Sequence, residues 1–218
     1  MHFDLRALIF DMDGVLIDSE PMHLEAFKRF FKTLNIEYTA EQNALYLGRK
    51  DSEISELLIE KYGLNMTAPE LVEKKEEIFR QLILAESSAR PGVMQTLKEA
   101  VELGINRAVA SSATLPTIKL IVNTLKLNQY FHSLSSGDEV KNGKPAPDVF
   151  LLAAERMQIA PEHCLVIEDT EAGVQAARAA GMKVVAIPCD ATKHQTHALA
   201  DMRLDSLSEL KLKDWVQH

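Results

Sequence analysis

The chain has 218 residues, 46% of them hydrophobic, with 24 Lys and Arg against 32 Asp and Glu for a net charge of -8. That length and apolar content can fill a real core, in one large domain or two unequal ones, and exclude a disordered chain. The acidic balance, with no basic cluster, excludes a surface built to track a phosphate backbone, so nucleic acid is not an expected partner.

The opening "MHFDLRALIF" lacks the pattern of a signal peptide, and no run of about 18 apolar residues occurs. A cytoplasmic protein without a membrane partner is expected. Next comes "ALIFD", a strand buried on both faces, which ends at Asp11 with Asp13 and Gly14 close behind. From Ser19 to about Ser88 no β-rich run appears. Apolar residues instead recur at helical spacing in "MHLEAFKRFFKTL", "SEISELLIEKYG" and "APELVEKKEEIFRQLIL". The stretch reads as an all-helical insert that closes at "ESSARPG", a Ser, Pro and Gly cluster suited to a hinge. The charge run "EKKEEIFR" within it reads as the solvated face of a helix.

Beyond the insert, the strands "RAVASS", "CLVIED" and "KVVAIP" alternate with the helical patterns "PGVMQTLKEAVELG", "LPTIKLIVNTLKL", "PDVFLLAAERM" and "EAGVQAARAAGM". This alternation predicts an α/β fold, a doubly wound parallel sheet covered by helices on both faces. Two domains are expected: a core of residues 1–18 and 88–218, and a helical domain of residues 19–87. Cys164 and Cys189 fall in no metal-ligand spacing and read as free thiols in a reducing compartment. His194 and His197 lack a third ligand and read as surface residues. The tail "LSELKLKDWVQH" reads as a closing helix with Trp215 packed inward.

In such a sheet, ligands bind outside the carboxyl ends of the strands. The first strand delivers Asp11 and Asp13 there, the second Ser111 and Ser112, and the third Glu168 and Asp169, while the loop "KNGKPAP" adds Lys144. Four acids against one lysine need further positive charge, since mutual repulsion raises carboxyl pKa values or splays the loops. With oxygen ligands and no His or Cys set, Mg²⁺ is the natural cation, and its shell is commonly completed by a substrate phosphate. The chemistry suggested is phosphoryl transfer. Asp11 would attack phosphorus to form an aspartyl phosphate, and Asp13 would act as acid and then base. Lys144, Ser111 and the cation would offset charge on the phosphoryl oxygens. Glu171 reads as an acid in the first turn of its helix, favoured by the helix dipole. Ser111 can also serve as a cap for the helix beginning near Leu115.

"DMDGVLIDSE", "ASSA", "GKPAPD" and "IEDTEAGVQAARAAGM", in this order, resemble the motifs of the haloacid dehalogenase-like hydrolases, in the subgroup with a helical cap after the first motif. The resemblance covers essentially the whole chain. It implies a Rossmann-like core, Asp11 as nucleophile, Asp13 as acid/base, and Mg²⁺ held by the carboxylates of Asp11 and Asp169 and the backbone carbonyl of Asp13. Glu168 would act on the metal mainly through water. Within the family, the chain looks like β-phosphoglucomutases and small sugar-phosphate or polyol-phosphate phosphatases. His23 stands where the mutases have a His that couples cap closure to the acid/base residue. Ala113, Thr114 and Leu115 replace the Ser-Lys-Asn run with which the mutases grip a second phosphate, and this favours a phosphatase. Arg49 or Lys50 would reach a distal anion of the substrate, Ser112 would contact it directly, and a monomer is expected.

Overall fold

The computed structural model describes residues 3–46 and 51–216. Contacts between Cα atoms divide the chain into two units, residues 1–18 with 87–218, and Ser19–Glu86.

The first unit is a six-stranded sheet of β1 (Ala7–Phe10), β2 (Asn106–Ser111), β3 (Ser133–Ser136), β4 (Cys164–Glu168), β5 (Lys183–Ala186) and β6 (Met202–Arg203). Its order is β3-β2-β1-β4-β5-β6, and all five pairings are parallel. The chain starts in the middle and winds outward both ways, which creates the reversal of strand order between β1 and β4 where such sheets bind ligands. β1 is buried at every residue, as expected for a strand flanked by strands and covered on both faces. Ile9 lies beside Ala108 and Val166, and with Ala7, Val149, Phe150, Ala153 and Val174 it forms the core on one face. Successive side chains alternate, so Leu8 and Phe10 serve the opposite face, where Phe10 meets Phe131 edge-on with ring centroids 5.8 Å apart.

In the second unit, the regular elements among the described residues are α1 (Glu20–Thr33), α2 (Ala40–Ala44), α3 (Asp51–Tyr62) and α4 (Ala68–Glu86). Its core gathers Phe27, Phe30, Phe31, Ile54, Leu58 and Leu71, apolar positions of the helical pattern, with Tyr38 from the α1–α2 connection. Thr39 starts α2 with a reciprocal capping box to Gln42. The sheet's covering helices are α5 (Val93–Glu102), α6 (Leu115–Thr124), α7 (Asp148–Met157) and α8 (Glu171–Ala179). Among the described residues, no helix is long and apolar enough to cross a membrane.

Several features depart from the sequence reading. β3 is the serine-rich "SLSS" and β6 only two residues long, so neither shows an apolar run. The tail forms two short 3-10 turns, Leu207–Glu209 and Leu212–Asp214, and its half-buried Trp215 packs edge-on against Phe3. Independently of that reading, the segment "GVLID" after the first strand is closely held: Val15, Leu16 and Ile17 are buried, Ile17 bridges to Ala89, and Arg90 N–H donates to Leu16 O at 2.9 Å. Lys75, in the charge run of α4, is fully buried (0% exposed), whereas the pattern predicted a solvated face.

Candidate active site

Asp11 follows β1 directly, and its N–H donates to Ile167 O at 2.9 Å, so the strand's hydrogen-bond ladder carries the carboxylate to the sheet edge. The chain then turns tightly, with Gly14 N–H donating to Ile17 O at 2.8 Å. Gly14 has φ 78, in the left-handed region, and a Cβ there would stand 2.2 Å from Asp169 Oδ2. Glycine thus permits the β1 loop and the β4 loop to meet, and the turn leaves Asp13 half-buried.

The Lys144 side chain, only 8% exposed, joins the two loops. Its Nζ donates to Asp11 Oδ1 at 2.5 Å and to Glu168 Oε1 at 2.7 Å, and lies 4.7 Å from the centroid of the Phe150 ring. Glu168 Oε2 accepts from the N–H and the hydroxyl of Thr170 at 2.6 and 2.9 Å. The Thr170 hydroxyl also accepts from Gly173 N–H at 3.0 Å, capping α8. With both oxygens engaged, Glu168 anchors the lysine. Gly173 leaves room for that carboxylate, because a Cβ there would stand 1.7 Å from Oε1.

Asp169 is held on one side. Its Oδ2 accepts from Thr192 Oγ1 at 3.1 Å and Cys189 Sγ at 3.2 Å, while its buried Oδ1 has no hydrogen-bond partner among the described residues. Burial, reinforced by Glu168, pushes its carboxyl up to about 7. Burial likewise holds Asp11 well above the usual carboxylate range, against the pull of Lys144. Burial opposes the charge on Lys144 too, but Asp11 and Glu168 outweigh it and keep the ammonium above the ordinary lysine range. The three directions agree: one ammonium cannot neutralise this many buried carboxylates.

Ser111 is buried at the end of β2, where its Oγ accepts from Ala113 N–H at 3.0 Å. Ser112 is exposed. The cap of α6 is Thr114, whose Oγ1 accepts from Thr117 N–H at 3.4 Å, so Ser111 is not the helix cap. In the helical unit, His23 stacks on Phe79 with ring centroids 4.1 Å apart, and Lys75 Nζ lies 2.6 Å from His23 Nδ1 and 3.1 Å from Glu76 Oε1. Arg49 and Lys50 lie outside the described residues. His194 is exposed, but His197 is 3% exposed and buried behind Asp169, a correction to its surface reading. Both cysteines are free and buried.

The model of the haloacid dehalogenase-like hydrolases matches residues 8–187, from β1 through β5, and includes Asp11, Ser111, Lys144, Glu168 and Asp169. The chain belongs to that family. A phosphorylated carbohydrates phosphatase of Thermotoga maritima is 34% identical to this haloacid dehalogenase-like hydrolase over 183 residues, covering 82% of this chain and 83% of its own. The fructose-1-phosphate phosphatase YqaB of Escherichia coli is 33% identical, over 85% of this chain and 97% of its own. Among solved structures, a CbbY mutant from Rhodobacter sphaeroides in complex with xylulose-1,5-bisphosphate has a TM-score of 0.85 and 28% identity, covering 98% of this chain and 100% of its own.

The residues at the sheet edge fit a hard cation: a buried carboxylate oxygen without a partner, beside a second buried carboxylate, is a site short of positive charge. Among the described residues, no three His, Cys, Asp or Glu side chains gather closely enough to hold a metal by themselves. Mg²⁺ needs no such cage, because it takes one or two carboxylates and completes its octahedron with water and substrate phosphate.

Proposed function

We propose that this haloacid dehalogenase-like hydrolase is a Mg²⁺-dependent phosphatase that releases phosphate from a small sugar or polyol monophosphate through an aspartyl phosphate on Asp11. The observation that carries the reading is the pairing of Asp11 with Lys144 beside an Asp169 oxygen left without a partner. In this reading residues 1–18 and 88–218 are the catalytic core and residues 19–87 the cap.

Asp11 and Asp169, with the backbone carbonyl of Asp13, would hold Mg²⁺, which when bound offsets charge on the phosphoryl oxygens. An Asp11 oxygen bonds to phosphorus as the bond from phosphorus to the substrate oxygen breaks, and Asp13 gives that oxygen its proton. Asp13 then takes a proton from water as the water oxygen attacks phosphorus, which frees phosphate and restores the Asp11 carboxylate. Lys144 pulls Asp11 toward its ionised form against the burial that opposes it and would offset charge on the transferred group, and Glu168 holds the lysine in place. Ser111 and the N–H groups of its loop would add donors to the phosphoryl oxygens.

The cap would cover the substrate and select its leaving group, with His23 and Arg49 or Lys50 as the residues that reach it and Ser112 contributing from the core. A β-phosphoglucomutase-type phosphomutase, the alternative reading of the motifs, needs a grip on a second phosphate. Thr114 is occupied as the cap of α6, which favours the phosphatase. Phosphate release from a panel of sugar and polyol monophosphates tests the proposal. Release that requires Mg²⁺ is expected. Conversion of β-glucose 1-phosphate to glucose 6-phosphate without net release, given a trace of the 1,6-bisphosphate, would overturn it in favour of the mutase.

A further inference from the structure

The segment between β5 and β6 carries none of the family motifs, yet it makes a run of contacts to the β4–α8 turn. Cys189 Sγ and Thr192 Oγ1 both reach Asp169 Oδ2. His197 Nε2 lies 2.6 Å from the backbone oxygen of Asp169, which can only accept, so the ring nitrogen donates. Two residues past Asp169, Glu171 N–H donates to Gln195 Oε1 at 2.6 Å, and the Thr196 hydroxyl donates to Glu171 Oε1 at 3.1 Å. Asp169 is therefore gripped at its side chain and its main chain, and the first residue of α8 is gripped behind it.

The geometry of Thr192 gives this grip a direction. Its Oγ1 accepts from Cys189 N–H at 3.0 Å, which leaves the single hydroxyl proton for another acceptor. Asp169 Oδ2 at 3.1 Å is nearer than Cys189 Sγ at 3.4 Å or Cys189 O at 3.5 Å, and it carries the charge. The turn that presents the hydroxyl is itself closed, with Thr192 N–H and Lys193 N–H donating to Cys189 O at 3.0 and 2.8 Å. His197 holds its place from the left-handed backbone region, at φ 50, where a non-glycine residue is uncommon. All the donors act on one edge of the carboxylate, and the opposite oxygen is the buried one without a partner.

We propose that the Cys189–His197 segment is a positioning element for the cation, with Thr192 as its principal residue: by holding Asp169 Oδ2 it fixes the rotamer that presents Oδ1 to Mg²⁺. The inference rests on the Mg²⁺ reading of the site above. Thr192 touches neither substrate nor cation. It acts through Asp169, as the partners that orient metal ligands generally do.

The test is a Mg²⁺ titration of the full chain, followed by calorimetry and by the rise in melting temperature, beside the Mg²⁺ concentration that half-activates phosphate release. Thr192→Val is expected to weaken Mg²⁺ binding by about 10- to 100-fold, with activity recovered by raising Mg²⁺, and Thr192→Ser to restore most of the affinity. A merely structural threonine would lower the melting temperature of the metal-free protein and leave Mg²⁺ affinity unmoved. Affinity within about twofold of wild type in a folded Thr192→Val protein overturns the proposal. If that variant does not fold, Cys189→Ala decides, since it removes the other donor to the same oxygen: weaker Mg²⁺ binding supports the proposal and unchanged binding overturns it. A wild type and an Asp169→Asn variant that both ignore Mg²⁺ contradict the metal reading itself, and this inference falls with it.

Discussion

Each unit of the molecule buries a lysine, and the two lysines are kept by different means. In the sheet unit Lys144 lies between two carboxylates, Asp11 and Glu168, and an aromatic face. In the helical unit Lys75 lies against His23 Nδ1, the rings of Phe27 and Phe79, and the partly exposed Glu76. An ammonium only donates, so His23 accepts here and contributes a lone pair without a formal charge. The contrast shows where charge is concentrated: the core is built around an excess of buried carboxylate that calls for a cation, and the helical unit holds one buried cation against a partly exposed carboxylate and aromatic and imidazole faces.

Removing the charged partners should expose that difference. The largest effect is expected in the core, where Asp11→Asn should lower phosphate release by at least about 10³-fold while the protein stays folded, as judged by circular dichroism. Lys144→Met comes next. It strands two buried carboxylates, and urea unfolding at pH 8 should show a loss of about 3–5 kcal/mol. The loss should shrink toward pH 5, because Asp11, already raised by burial, can then take up a proton. Lys75→Met leaves behind the His23 acceptor and a Glu76 carboxylate that solvent reaches, and about 1–3 kcal/mol is expected in the same assay. Equal costs for the two lysine variants would break the comparison.

Metal and pH sharpen it further. Because folding raises the Asp169 carboxyl from its ordinary value to about 7, its contribution to stability is fully present below about pH 4 and is lost as pH rises through 7. Mg²⁺ binds the ionised form, so the rise in melting temperature it produces should be larger at pH 8 than at pH 5.5. The smallest effect concerns the thiols, both of which lie in the sheet unit. Burial pushes Cys164 up to about 12 and raises Cys189 as well, so neither should be alkylated at pH 8 in the native protein. Alkylation by iodoacetamide should then follow opening of the sheet unit alone.

The motifs were legible because several residues of fixed type must meet at one sheet edge: Asp11, Glu168 and Asp169 from strand ends and Lys144 from its loop come together there. The buried strands β1, β2, β4 and β5 were legible for a related reason, since a strand covered on both faces leaves an unbroken apolar run. β3 was not, because its buried Ser135 and Ser136 show no apolar signal, and β6 is too short to show one. Lys75 is masked by the acids around it in "EKKEEIFR", where charge is read as exposure. His197 is hidden for another reason: its partners are the backbone oxygens of Gln195 and Asp169, and a backbone acceptor leaves no mark in the identity of the residue that carries it.

The central claim is that Asp11 itself carries the phosphoryl group. Acid quenching during turnover of a substrate from the phosphatase panel, followed by proteolysis and mass spectrometry, measures this directly. The account predicts one phosphoryl group on the peptide containing Asp11, formed only with Mg²⁺ and absent from Asp11→Asn. Steady release of phosphate with that peptide unmodified throughout, or with the label on another residue, would contradict it.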